Sequence, residues 1–277
     1  SGVAKVVLPK NEQPPFIYLS KNFKFISNRK LDAAKTATVA ATAESVPAAV
    51  GRVPLELKHL PELAGGEKRH PIYIASDLEE FIRNGGAQHA AGYYSGRKRT
   101  VILRADKFLD VKRPDYRLLT HELVHLSMHE INGKANAWFT EGNAEYFACA
   151  FYGTSSYKFT SMSTSIKDRT KWFFKRGEAL NLHSLKKFVT RDSRMWRDMN
   201  ASLAPEDRYA QYMTAVLLVH YFYHIDPQGR EKIAKYLALV QEGRKSDSDQ
   251  AHLFSPEELL KIEKSIISFW KPKGYQI

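Results

Sequence analysis

Apolar and polar residues follow two different rhythms in this chain, and the change falls near residue 115. Before it, short stretches read as strands: Phe23 to Ile26, then Pro71-Ile72-Tyr73-Ile74-Ala75. An Ala-rich stretch from Leu31 to Val50 has helical character and ends near Gly51 and Pro54, and Gly65-Gly66 marks a loop. Asp77 is placed to cap a short helix through Arg83, which Asn84-Gly85-Gly86 stops. Gly92 to Arg104 reads as a hairpin turning at Ser95-Gly96, with Thr100 to Leu103 as its second arm.

From Asp115 onward the helical period dominates, over about 116–131, 139–151, 166–178, 207–224, 229–242 and 256–269. The fold class this predicts is α+β: a small mixed sheet with packed helices in an N-terminal lobe, followed by an all-helical C-terminal lobe. We expect residues 1–150 to form the first lobe and 151–277 the second, together one catalytic unit with its site between them.

One helix carries the candidate chemistry. In His121-Glu122-Leu123-Val124-His125 the two histidines are four apart, so on a helix they share a face and present their imidazoles to one metal ion, with Glu122 about 100° around the turn. Leu119, Leu123 and Leu126 form a separate apolar stripe, and Asn132-Gly133 is a stop signal. Neutral imidazole suits zinc, and a catalytic zinc takes three protein ligands and keeps a position for water. Glu122 is then placed to accept a proton from that water.

A third ligand must come from elsewhere. Trp138-Phe139-Thr140-Glu141-Gly142-Asn143-Ala144-Glu145-Tyr146-Phe147 sets two carboxylates four apart among aromatic residues expected to be buried, where charges need a partner or a metal. Two other histidine pairs at helical spacing, His125 with His129 and His220 with His224, lack a neighbouring glutamate in the right place. Cys149, the single cysteine, follows on an apolar helix and reads as a packed thiol; it excludes a multi-cysteine zinc site.

Together, His121-Glu122-x-x-His125 and Trp138-Phe139-x-Glu141-Gly142-x-Ala144-Glu145-Tyr146 resemble the gluzincin metallopeptidases, in particular their peptidase-MA-like branch. The metzincin pattern is absent, since Met128 and Ile131 stand where it needs a glycine and a third histidine. The resemblance implies one Zn2+ per chain on His121, His125 and Glu141, with Glu122 as general base in peptide-bond hydrolysis. It implies Glu145 as the acid that steadies a ligand imidazole. It further implies an edge strand, matched here by Thr100, Val101 and Ile102, along which a peptide or protein substrate lies extended. A phenol from the helical lobe would hold the oxyanion, with Tyr209 the candidate and Tyr212 second. The alternative is a catalytically inactive zinc-bearing binding or scaffold protein, against which the intact Glu122 argues.

Charge adds one partner to this picture. The formal net charge is +12, and residues 158–198 hold eleven Lys/Arg against four Asp/Glu. A basic surface there suits an anionic surface or polymer. No signature of a nucleic-acid module stands out. With 43% hydrophobic residues and no apolar run long enough to span a bilayer, a soluble protein is expected. The opening Ser1-Gly2-Val3-Ala4-Lys5 lacks an initiator Met, as a chain with its leader removed would, and the resemblance implies export, to the periplasm or the extracellular space.

Overall fold

The computed structural model describes residues 5–52, 60–61, 63, 67–153, 155–171, 183–244 and 249–275. The chain divides into two compact units, residues 1–129 with 151–158 and residues 130–150 with 159–277. The division differs from the expected boundary at residue 150, because the helix bearing Glu141 and Glu145 packs with the second unit and residues 151–158 with the first.

The first unit is built on a five-stranded mixed sheet of β1 (Phe16–Leu19), β2 (Phe23–Ser27), β3 (His70–Ala75), β4 (Gly92–Ser95) and β5 (Thr100–Arg104), in the order β1-β2-β3-β5-β4. β2, β3 and β5 run parallel, and the two outer strands pair antiparallel to their neighbours. β1 was not foreseen. The hairpin was, and it forms β4 and β5 with Ser95 opposite Thr100.

Helix α1 (Ala33–Val50) starts where the Asp32 carboxylate accepts from the Lys35 amide at 2.8 Å. In α2 (Leu78–Arg83) the Asp77 carboxylate accepts from the Glu80 amide, while the Glu80 carboxylate reaches back to the amide of Ser76 at 2.7 Å. One sheet face packs Tyr73, Tyr93 and Ile102 with Ala75, Phe81 and Leu78. Strand alternation therefore turns Gly92, Tyr94, Val101 and Leu103 to the opposite face. After the short α3 (Ala105–Phe108), that face meets α4 (Arg117–Ser127), which also packs on α1.

The second unit is helical: α5 (Ala137–Ala150), α6 (Met162–Thr170), α7 (Leu185–Phe188), α8 (Ser193–Ser202), α9 (Pro205–His220), α10 (Gly229–Gln241), α11 (Ala251–Phe254) and α12 (Pro256–Trp270). The expected helix over 166–178 is α6 shifted toward the N-terminus, and residues 172–182 lie outside the described residues, as do Gly65 and Gly66. The expected helix over 207–224 changes at Tyr221 into a π-helical turn, Tyr221–Ile225. Among the described residues no helix is long and apolar enough to cross a membrane.

The packing of α5 decides what it can present. Asn136, just before it, donates through its amide nitrogen to Tyr236 Oη at 2.9 Å and through Nδ2 to Val189 O at 2.6 Å, and the Ala137 amide donates to Arg191 O. Trp138 is wholly buried among Phe139, Phe222, Tyr236 and Phe254. Along its flank α5 lies against α9 closely enough that a Cβ on Gly142 would stand 2.6 Å from Ala215 O and 2.7 Å from Val219 Cγ2. Gly142→Ala is accordingly expected to destabilise the protein by about 1–3 kcal/mol through overpacking against backbone. A lowered denaturation midpoint with unchanged slope is the expected result; an unchanged midpoint would refute the close contact.

Candidate metal centre

α4 supplies the first part of the centre. Leu119, Leu123 and Leu126 are buried and hold the helix to its unit, as the apolar stripe predicts. The helix stops at Ser127, four residues before the expected end, and Met128 is its C-cap. His121 and His125 lie on one face with Nε2 atoms 3.2 Å apart and ring centroids 4.9 Å apart. Glu122 is buried, at 7% exposure. Its place is set by Gly92 of β4, where an added Cβ would stand 2.7 Å from Glu122 Oε1 and 2.8 Å from its Cγ. Two residues along the same face of β4, Tyr94 Oη and His129 Nδ1 form a 2.8 Å hydrogen bond, with the rings edge-on. Burial pushes the Tyr94 phenol well above its ordinary pKa.

α5 supplies the rest. Every residue of this helix is buried except Glu141. His121, His125 and Glu141 each offer a ligand atom, and these atoms lie within 4.8 Å of one another. The donor set, two imidazoles and a carboxylate, is one that catalytic zinc adopts. Two nitrogens each about 2.0–2.1 Å from a tetrahedral zinc stand roughly 3.3 Å apart, close to the separation of the two Nε2 atoms. The group fits a divalent metal ion.

One turn beyond Glu141, Glu145 is held differently. Its Oε1 accepts from Arg169 Nε of α6 at 2.8 Å, with the two side chains 5% and 16% exposed. Burial disfavours the Arg169 charge, but Glu145 first, with Tyr209 and Cys149, outweighs this, and the guanidinium pKa is raised. Tyr209, 8% exposed, donates to Arg169 O at 3.3 Å, and burial with the nearby Glu145 charge raises its pKa. The structure thus sets Tyr209 against Arg169 and Glu145, and the residues grouped for a metal are His121, His125 and Glu141. Tyr212 Oη accepts from Asn200 Nδ2 and its ring lies edge-on to Trp196.

The edge-strand assignment is corrected. Thr100, Val101 and Ile102 belong to β5, which lies between β3 and β4 and is buried; its backbone already pairs on both sides. The edge beside Glu122 is β4, because the hairpin folds its first arm outward. His220 is 2% exposed between Phe269 and Trp270, with its pKa lowered to about 3 by burial, then by His224 and Lys273. His224 Nε2 bonds Tyr146 Oη at 2.8 Å. This pair belongs to the aromatic packing, and Cys149 is a buried thiol.

Gly92, Tyr94 and Arg169 went unforeseen. Gly92 opened a predicted strand and signalled close approach only in retrospect. Arg169 lies 24 residues from Glu145 with nothing local to link them. No protein-family profile and no curated protein matches the chain.

Arg169→Met leaves the Glu145 carboxylate buried without its guanidinium, and a loss of about 3–5 kcal/mol is expected. The double variant Glu145→Gln/Arg169→Met should recover much of that loss in chemical denaturation. Equal losses in the single and double variants would mean the pair is not coupled.

Proposed function

We propose that the protein is a zinc-dependent peptidase, with zinc held by His121, His125 and Glu141. The observation that carries this reading is the gathering of those three ligand atoms within 4.8 Å beside a buried Glu122. A structural zinc site is closed by its ligands and has no use for an adjacent glutamate. A hydrolytic site needs a carboxylate there as general base.

When bound, the zinc would acidify a water molecule and polarise the scissile carbonyl. Glu122 accepts the proton released from that water and delivers it to the leaving amine. Gly92 keeps the space its carboxylate occupies. Among the described residues no strand pairs with the outer side of β4, so an extended peptide can add there by backbone hydrogen bonds. Such a peptide would run past Gly92 and hence past Glu122.

Purified protein is expected to hold about one zinc per chain by elemental analysis, and His121→Ala and Glu141→Ala to lose it. Glu122→Gln should keep zinc while peptide hydrolysis falls by a factor on the order of 10²–10⁴. Gly92→Ala should also keep zinc and lose turnover, because its Cβ claims the position of the Glu122 carboxylate. Absence of zinc from the wild type, or full activity in Glu122→Gln, would sink the proposal.

A further inference from the structure

A cavity in the first unit shares no lining residue with the metal centre. It lies between β1, β2 and α1 and has a volume of about 620 Å³, within the size range of small-molecule sites. Lys5, Lys21, Arg69 and Glu44 line it, with Val7 and Leu19 forming an apolar side.

The charges of this cavity are unevenly satisfied. Glu44 is engaged by neutral donors alone: its Oε1 accepts from Ser20 Oγ at 2.6 Å and from the Asn22 amide at 2.7 Å, and its Oε2 from Asn22 Nδ2 at 2.6 Å. Both carboxylate oxygens are thereby used on the protein's own frame. Arg69 makes one hydrogen bond among the described residues, from Nε to Ser20 O at 2.6 Å, which fixes the guanidinium and leaves its terminal nitrogens available. Neither Lys5 nor Lys21 pairs with a carboxylate among the described residues. Nearby Lys24, by contrast, is taken by Glu67 at 3.0 Å.

Three cations therefore line a cavity in which Glu44, the only carboxylate among the described lining residues, is already held by neutral donors. Arginine presents a fixed fork to an oxyanion, and the lysines add mobile charge around it. We propose that this cavity binds a small molecule carrying a phosphate or carboxylate group, seated on Arg69 with Lys5 and Lys21 and with its apolar part against Val7 and Leu19.

The test is calorimetric titration of the full chain at low ionic strength with inorganic pyrophosphate and, separately, with citrate. Saturable one-site binding of either is expected, weakened at least tenfold in Arg69→Gln and severalfold in Lys21→Ala. Lys264→Ala, at an exposed position of the second unit that does not line the cavity, should bind as the wild type does. Which of the two anions binds more tightly identifies the head group. Should Arg69→Gln fail to fold by circular dichroism, the double variant Lys5→Ala/Lys21→Ala, at two exposed positions, decides instead. No saturable binding of either anion, or an equal loss in Lys264→Ala, would overturn the proposal. None of these outcomes depends on zinc content or peptide hydrolysis.

Discussion

The burial of α5 is the constraint on which the rest of the candidate centre depends. A helix with thirteen of its fourteen residues buried has no rotational freedom, since turning it would expose aromatic rings and bury a charge. Its first turn is tied through Asn136 and Ala137, its flank is pressed on α9 at Gly142, and Trp138 locks its N-terminal end among four other rings. Glu141 is the one residue of the helix that is only half-buried. So well packed an element fixes the backbone from which the Glu141 side chain extends.

Two glutamates on this helix, one turn apart, show how environment divides their roles. Glu145 is drawn inward and neutralised by a buried guanidinium, so it secures α5 to α6. Glu141 is half-buried and grouped with two imidazoles. Removing one partner of the buried Glu145–Arg169 pair would leave the other charge buried and uncompensated, which is why the pair holds α5 and α6 together.

The fold class, the hairpin and most helices were legible because period and capping are local signals: Asp77 caps where its position suggested. The histidine pair and its glutamate were legible for the same reason, since four-residue spacing on a helix is a statement about one face. What the sequence hid is long-range. β1 is short, lies at the sheet edge and carries few distinguishing residues. The edge at Thr100 to Ile102 is an implication of the resemblance, and a hairpin alone does not show which of its arms takes the outer place; the parallel pairing of β5 with β3 decides that. Arg169 meets Glu145 only through the packing of α6 on α5, and no periodicity announces it.

Glycines supply the remaining part of the argument. In a sequence they are read as turns and helix stops, and Gly85 and Gly133 do serve that way with positive φ. Gly92 and Gly142 stand inside a strand and a helix, where glycine weakens the element and so needs a reason. At each the reason is an occupied space: Glu122 lies where a side chain of residue 92 would begin, and Ala215 O lies where one of residue 142 would begin. The first leaves room for the carboxylate of the candidate base, and the second lets the helix carrying the third candidate ligand seat against its neighbour. The space around Glu122 and the seat of the helix that carries Glu141 thus both depend on side chains that are absent.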